Sequence, residues 1–265
     1  MAETTAIAWT DATFNPWWGC QKVGPGCDHC YAERDAERFE PKRALWGAGS
    51  ERRTFGEKHW NQPKRWHEKA HREGVRRRVF CASMADVFDK DAPPGERDRL
   101  WSLIAATPNL DWLVLTKRIG NAKSMLPSNW GMGYPNVWLG ATVVNQEEAD
   151  RDILKLAATP AAVRFLSCEP LLGPICVATN DAFRSIDWVI VGGESGPQAR
   201  PMLEVWALAL ARQCRERNVA FFFKQGSQQN WLNFRDFDGF PDELKIREWP
   251  ASAGALPASQ MEFPR

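Results

Sequence analysis

Six short apolar runs recur along the chain from residue 79 onward, and they limit the possible fold more than any other feature. The runs are Val79–Ala82, Trp112–Leu115, Val137–Ala141, Arg164–Ser167, Trp188–Val191 and Ala220–Phe223. A continuous run of this length is typical of a strand that is buried on both faces, as in a parallel sheet. Between the runs lie four segments rich in helix-forming residues, at Glu96–Ala106, Arg118–Leu126, Glu147–Ala158 and Glu204–Asn218. The alternation predicts an α/β fold.

A weaker strand is expected near Ile7–Trp9, which brings the predicted strands to seven. Strands that alternate with helices favour a full or partial β/α barrel of the TIM type, and a doubly wound open sheet is the main alternative. We interpret residues 1–265 as one barrel domain with two appendages. Residues 40–78, after a predicted first helix, form a basic, aromatic-rich insertion or lid, and residues 227–265 form a C-terminal packing tail.

Positive charge is concentrated in residues 40–78. The whole chain carries 34 Lys and Arg against 33 Asp and Glu, whereas this segment carries twelve Lys or Arg and five Glu, a local balance of 12 − 5 = +7. Trp46, Phe55, Trp60 and Trp66 are interleaved with these cations. Cations bind phosphates and aromatic rings stack on bases, so the segment suggests a nucleic-acid partner. A solvated lid with ordinary surface charge is the alternative.

The chain carries no signal for a membrane or for export. No apolar run approaches the roughly 20 residues that span a bilayer, and residues 1–5 lack the pattern of a signal peptide. We therefore expect a cytoplasmic protein without a membrane partner. Seven Cys is an odd number, and three of them lie in one loop. In a reducing compartment this distribution indicates metal or redox chemistry rather than a disulfide framework.

The three clustered thiols, Cys20, Cys27 and Cys30, are the candidate metal ligands, and their spacing is compatible with three kinds of site. A structural zinc ion would need a fourth ligand, such as Cys81 or Cys168. An iron–sulfur cluster held by three thiolates would keep one iron free for a chelating cosubstrate. A redox dithiol of the Cys-x-x-Cys type would leave Cys20 unused. The predicted barrel favours the iron–sulfur interpretation, because strand ends would supply a mouth for the loop to face.

Charged residues follow several predicted strands, where barrels and open α/β sheets place their sites. The cationic pair Lys117-Arg118 could hold a carboxylate or a phosphate, and Glu169 could hold an amino group or a ribose hydroxyl. Structural ion pairs at the rim of the barrel are the alternative for these residues.

The thiol loop resembles that of radical S-adenosylmethionine enzymes, whose usual spacing is Cys-x3-Cys-x-aromatic-Cys. Here the first spacing has six residues and the second has two, with His29 beside the last thiol. Much of the chain further resembles a phage- and island-borne family of unassigned function that is known for this three-Cys motif. Besides the loop itself, the sequence segments that carry this resemblance are residues 9–17, 115–118, 138–143, 169–174 and 188–197.

The resemblance implies a barrel of the radical S-adenosylmethionine kind, with a [4Fe-4S] cluster on the three loop thiols and S-adenosylmethionine on its open iron. Gly192, Gly193 and Glu194 resemble the Gly-Gly-Glu element that meets the methionine amino group in those enzymes. His29 occupies a position that often flanks the adenine. The complete set of expected cofactor contacts is His29, Tyr31, Ser167, Glu169, Gly192, Gly193 and Glu194.

The resemblance extends to spore photoproduct lyases, in which a thiol donates a hydrogen atom to a substrate radical. Cys81 and Cys168 are the candidates for that role here, since both come at the ends of predicted strands and are expected to face the mouth. A small Cys buried in the strand is the alternative for both residues. With Lys117 they form the set of expected catalytic residues. We expect radical chemistry on a nucleic acid, as lesion repair or modification, with an external electron donor. The alternative is a zinc-binding, nucleic-acid-binding protein without radical chemistry.

Overall fold

The computed structural model describes residues 3–231 and 234–250. Its centre is one sheet of seven strands in which every neighbouring pair is parallel and the spatial order follows the chain order. The strands are β1 Ala12–Phe14, β2 Arg77–Cys81, β3 Leu110–Thr116, β4 Val137–Thr142, β5 Val163–Cys168, β6 Trp188–Gly192 and β7 Ala220–Gln225.

The strand order decides between the two predicted architectures. A doubly wound sheet reverses its order at a switch point, whereas this sheet runs from β1 to β7 without reversal. The sheet is curled into a half-barrel, and β1 does not pair with β7 among the described residues. The prediction of an α/β fold with a partial barrel is confirmed.

Most of the predicted helices are confirmed with shifts of one or two residues. The helices are α1 Tyr31–Phe39, α2 Glu57–Trp60, α3 Gln62–Glu73, α4 Glu96–Ala105, α5 Ile119–Met125, α6 Gln146–Ala157 and α7 Glu204–Glu216, with short 3-10 turns at Pro25–Cys27, Asp181–Ser185 and Asp242–Leu244. Gly74 ends α3 in the left-handed conformation (φ 66°), as a glycine just after a helix often does. In residues 3–231 and 234–250, no helix has the length and apolar character needed to cross a membrane.

The predicted strand at Ile7–Trp9 is wrong, because the first strand lies at Ala12–Phe14. Pairing with β2 begins only at Asp11, whose amide donates to the Arg78 carbonyl (3.0 Å) and whose carboxylate accepts from the Arg78 amide (2.8 Å). Trp9 precedes this point and packs inside the half-barrel. The apolar content of residues 6–9 therefore reflects burial of side chains and not pairing of the backbone.

The two faces of the sheet bury different kinds of residue. One face carries the helices, and the largest core cluster lies between them. The other face has a cluster to which no helix contributes, made of Trp9, Phe80, Leu113, Trp138, Val163, Phe165, Trp188, Ile190 and Phe222. Trp188 meets two of these rings nearly at right angles, with its centroid 5.9 Å from that of Trp138 and 6.1 Å from that of Phe222. These aromatic rings fill the half-barrel as a floor.

A single glycine makes room for this floor. A Cβ on Gly140 would lie 2.3 Å from the ring of Phe165 on the neighbouring strand, so only glycine fits at this position of β4. Towards the carboxyl ends the same face changes from aromatic to polar, with Lys117, Thr142, Ser167 and Lys224. Side chains alternate between the two faces of a strand, so every second residue beyond the aromatic floor is on the same face as the floor.

Two of the three Trp side chains of segment 40–78 are not available for the base stacking that the sequence suggested. Trp60 and Trp66 are 2% and 4% exposed and belong to the core on the helix side. Several of its cations pair with carboxylates from outside the segment, for example Arg52 with Asp89 (3.0 Å). The local excess of +7 includes these cations but not their carboxylate partners outside the segment, so it overstates the unneutralised positive charge of the segment.

The described part of the predicted packing tail lies along β7. The Phe223 amide donates to the Ile246 carbonyl (2.9 Å), and the Glu248 amide donates to the Phe221 carbonyl (3.0 Å). The indole of Trp188 donates to the Glu248 carbonyl (2.8 Å). Within the predicted 227–265 tail, residues 232–233 and 251–265 lie outside the described residues.

Candidate functional site

A cavity of about 680 Å³ opens at the carboxyl ends of the strands, above the aromatic floor. This volume is in the range of cofactor and small-molecule sites. The predicted site residues that line the cavity are Cys20, Cys27, Cys30, Tyr31, Lys117, Ser167 and Glu169. The structure therefore brings together all three loop thiols and four of the other predicted residues. His29, Cys81, Cys168, Gly192, Gly193 and Glu194 are not among the residues of its wall.

The thiol loop reaches the cavity because two glycines allow it to pack closely on the β4–α6 connection. A Cβ on Gly26 would lie 2.8 Å from Val144 Cγ1, and a Cβ on Gly24 would lie 2.7 Å from Glu148 Oε1. Cys27 lies in the 3-10 turn Pro25–Cys27, and Cys30 occupies the N-cap position of α1 without a side-chain hydrogen bond to the helix. All three thiols are free of disulfides. The loop thus delivers three sulfur atoms to the wall of one cavity.

Cys20 is held by a buried ion pair. Arg118 Nη1 donates to Cys20 Sγ (3.3 Å) and lies 3.1 Å from Asp86 Oδ2, and both side chains of this pair are less than a tenth exposed. Arg118 Nη2 also donates to the Gln21 carbonyl (2.7 Å). Burial raises the pKa of the Cys20 thiol to about 11, against the opposing effect of the Arg118 guanidinium. A cation next to a sulfur stabilises its thiolate form, which is the form that binds metals.

A second arginine clamps the other half of the loop. Arg200 binds both carboxylate oxygens of Glu194 (2.7 and 3.0 Å) and donates to the Pro25 carbonyl (2.8 Å) and to Asp28 Oδ2 (3.1 Å). Glu194 Oε2 also lies 3.0 Å from His29 Nδ1. Burial raises the pKa of Glu194, but the hydrogen bonds from Arg200 and His29 outweigh it, so the pKa lies below its usual value. The network fastens the thiol loop to the end of β6.

The Gly-Gly-Glu element has a structural use in this arrangement. A Cβ on Gly193 would lie 2.3 Å from the Ser227 backbone nitrogen, and a Cβ on Gly192 would lie 3.0 Å from Glu169 Oε1. Gly193 therefore lets the chain after β6 approach the chain after β7, whereas Gly192 leaves room for the side chain of Glu169, which follows β5. Glu194 faces Arg200 and His29. The predicted contact of Glu194 with a methionine amino group would have to compete with this ion pair.

The polar wall of the cavity includes side chains from the ends of β3, β4, β5 and β7. Glu169 accepts from Lys224 Nζ (2.6 Å) and from the Ser167 hydroxyl (3.3 Å). Lys117 Nζ donates to Thr142 Oγ1 (3.2 Å). Among the described residues, no carboxylate lies within ion-pair distance of Lys117, so this ammonium is available to an anion. The Tyr31 hydroxyl, on the loop side, donates to the Ser83 carbonyl (3.0 Å).

Cys81 and Cys168 do not face the mouth, which corrects the sequence-based expectation. Both belong to the core cluster on the helix side, with 0% and 1% exposure. Burial raises the pKa of both thiols above the usual value. The physical reason is the alternation of side chains along a strand: Ser167 lines the cavity, so Cys168 must point to the opposite face. Neither thiol reaches a substrate in the cavity from this position.

Cys20, Cys27 and Cys30 all lie on the wall of one cavity. In the part of the chain that the structure describes, no group of three His, Cys, Asp or Glu side chains is arranged to hold one metal ion. A zinc ion needs its ligands about 2.3 Å from one common centre. In a [4Fe-4S] cluster each thiolate binds its own iron, so three sulfurs around one cavity are a suitable donor set.

Comparison with known proteins identifies a family for this chain but no activity. The sequence profile of one protein family matches residues 4–249, nearly the whole chain. The chain belongs to the family described as "Protein of unknown function (DUF5131)". No curated protein and no solved structure matches the chain. For this DUF5131 member, function must therefore be argued from the site.

Three residues that shape the site have roles that the sequence did not predict. Asp86 and Arg118 each follow a predicted strand, so their position at a strand end was a usable signal, but Arg118 was expected to bind an anionic ligand and it contacts Cys20 and Asp86 instead. Arg200 had no comparable signal, because it lies in an irregular stretch between β6 and α7. Its partners are recognisable only once the loop and β6 are seen side by side.

Proposed function

We propose that this protein is an enzyme of the radical S-adenosylmethionine type. The observation that carries the proposal is the position of Cys20, Cys27 and Cys30 on one wall of a cavity at the carboxyl ends of a parallel half-barrel. These three thiolates would hold a [4Fe-4S] cluster and leave one iron open for the cosubstrate. When bound, the cluster would supply the electron that cleaves S-adenosylmethionine to a 5′-deoxyadenosyl radical.

The residues of the chain would bind the cosubstrate and the substrate and hold them in position. Lys117, which has no carboxylate partner among the described residues, would receive the carboxylate of the cosubstrate or an anionic group of the substrate. Ser167 and Glu169 offer hydrogen-bond acceptors on the same wall. The aromatic floor below excludes water from the bottom of the cavity, which protects a reactive intermediate. The electron would come from an external donor.

The substrate class that we propose is a nucleic acid, which the reaction would repair or modify. A base taken out of its stack can be read by aromatic side chains in a pocket of this kind. Tyr31, Trp46, Trp9 and Phe80 all contribute to the cavity wall. A hydrogen-atom donor for the substrate would have to come from the cavity wall, since Cys81 and Cys168 face the other side of the sheet.

Anaerobic reconstitution with iron and sulfide tests the proposal. We expect brown protein with about four irons per chain, and release of 5′-deoxyadenosine when S-adenosylmethionine and a strong reductant are added. Zinc in stoichiometric amount without iron, after strictly anaerobic preparation, would overturn the proposal in favour of a zinc protein. Brown protein that does not cleave S-adenosylmethionine would indicate that the cluster has only a structural or electron-transfer role.

Single Cys→Ala variants test the ligand set. Cys20→Ala, Cys27→Ala and Cys30→Ala should each lose the cluster. Cys81→Ala and Cys168→Ala are matched controls, because they remove the same group from the opposite face of the sheet, and they should retain iron at the level of the unaltered protein. A requirement for Cys81 or Cys168 in metal retention would replace the three-thiolate site by one with four ligands.

A further inference from the structure

A second, open depression lies beside the cavity and is strongly cationic. It has a volume of about 320 Å³, and five of its wall residues are cations: Lys90, Lys117, Arg118, Arg151 and Lys155. Asp152 is the one acidic residue of that wall within the described chain. We call this depression the basic groove. Its composition predicts an anionic ligand.

The basic groove continues into the cavity. Gln21, Lys117 and Arg118 belong to the walls of both, so an anion that enters the groove comes next to the thiol loop. Lys117 Nζ donates to Thr142 on the cavity side. A ligand lying in the groove can therefore extend a part of itself into the cavity without leaving protein contact.

The charge of the groove is only partly neutralised within the protein. Arg151 and Lys155 share Asp152 (2.6 and 2.9 Å), and Arg151 also lies 3.8 Å from Glu148. The side chains of Arg151 and Lys155 remain 47% and 43% exposed. Lys90 is exposed and, like Lys117, has no carboxylate partner among the described residues. Positions 151 and 155 lie one helical turn apart on α6, which sets two cations side by side along the groove.

We propose that the basic groove binds the sugar–phosphate backbone of a single-stranded nucleic acid and that one nucleotide of this strand enters the cavity. A row of several cations suits a chain of regularly repeated phosphates. The groove has no aromatic residue in its wall, so it would position the strand by phosphate contacts, while the rings of the cavity would receive a base. The proposal rests on the proposed function for the identity of the reaction, and it replaces segment 40–78 as the main nucleic-acid contact.

Binding of a short fluorescent oligothymidylate, followed by anisotropy over a range of salt concentrations, tests the groove. The full chain is used both as isolated and after anaerobic reconstitution. The variant Lys90→Gln/Lys155→Gln removes two cations from the groove, and Lys58→Gln/Lys64→Gln removes two exposed cations from segment 40–78 as a matched control. We expect the groove variant to weaken binding roughly tenfold and to reduce the salt slope by about 1.4, which is 0.7 for each lost contact on a single strand.

Two results would overturn the groove assignment: the groove variant could bind as tightly as the unaltered chain, or the control could weaken binding more than the groove variant does. Displacement of the probe by inorganic polyphosphate as effectively as by unlabelled oligothymidylate would overturn the entry of a base into the cavity. Iron content and S-adenosylmethionine cleavage are measured on the same variants. Normal cleavage with unaltered binding would reject the groove alone, whereas groove-dependent binding without iron would reject the proposed function alone.

Discussion

Replacement of Arg200 by Gln should loosen the thiol loop while the half-barrel remains folded. The substitution removes two hydrogen bonds to the buried Glu194 carboxylate and one to the Pro25 carbonyl. Hydrogen bonds to charged groups contribute about 1.5–3 kcal/mol each. The exposed contact with Asp28 adds little, and His29 remains as a partner of Glu194. The bond to Pro25 is exposed, so we count only the two bonds to Glu194, each at the lower end of this range because Arg200 is partly exposed. The expected loss is then about 3 kcal/mol from the free energy that holds the loop closed.

Amide hydrogen exchange of a peptide covering residues 20–31 measures this loss directly. The Cys27 amide donates to the Gly24 carbonyl (2.9 Å) inside the loop, so its protection reports loop opening. A change of about 3 kcal/mol corresponds to a roughly 100-fold faster exchange. The metal-free protein is used, so the outcome does not depend on a cluster. Arg212→Gln, on the exposed side of α7, is the control. If the exchange rate of the Arg200→Gln variant lies within threefold of the rate of this control, Arg200 does not hold the loop closed.

Three further predictions concern stability, each measured by urea unfolding. Gly193→Ala should destabilise the protein by about 1–3 kcal/mol, because the new Cβ would meet the Ser227 backbone; an unchanged midpoint would show that the two strand ends can separate freely. Asp86→Asn should cost about 3 kcal/mol by leaving the Arg118 guanidinium buried without its carboxylate, and a loss below 1 kcal/mol would contradict this account. Burial lowers the pKa of His59, so below its usual value of about 6.5 the unfolded chain binds a proton that the folded chain resists. Stability should therefore fall as the pH decreases through this range, and His59→Gln should flatten the profile.

The fold was largely predictable from the sequence because its signals are local. Each buried strand is a continuous apolar run, and the helices α4, α6 and α7 occupy the segments between runs, as expected. The first strand was misplaced because an apolar segment at residues 6–9 supplies rings to the interior without pairing its backbone. The alternation of side chains between the two faces of a strand also carried usable information about the site. Once Ser167 was assigned to the cavity, the same rule placed Cys168 on the opposite face.

The electrostatics of the site could not be predicted, because the partners of each charge lie far apart in the chain. Arg52 is buried against Asp89, so a count over residues 40–78 assigns to the surface a cation that the fold neutralises. The basic groove shows the converse case. Lys90 and Lys117 belong to two different loops, and Lys155 belongs to α6, so no single window of sequence contains the patch.

The anchoring of the thiol loop also determines when during synthesis the loop can take its final form. Cys20 is held by Arg118, 98 positions later, and Asp28 and Pro25 are held by Arg200, more than 170 positions later. A chain emerging from the ribosome therefore carries three unfastened thiols until β6 and the segment after it are available. Contacts of such long range form late in folding. Cluster assembly on this protein would accordingly follow completion of the half-barrel, and the nascent thiols would need protection from oxidation until then.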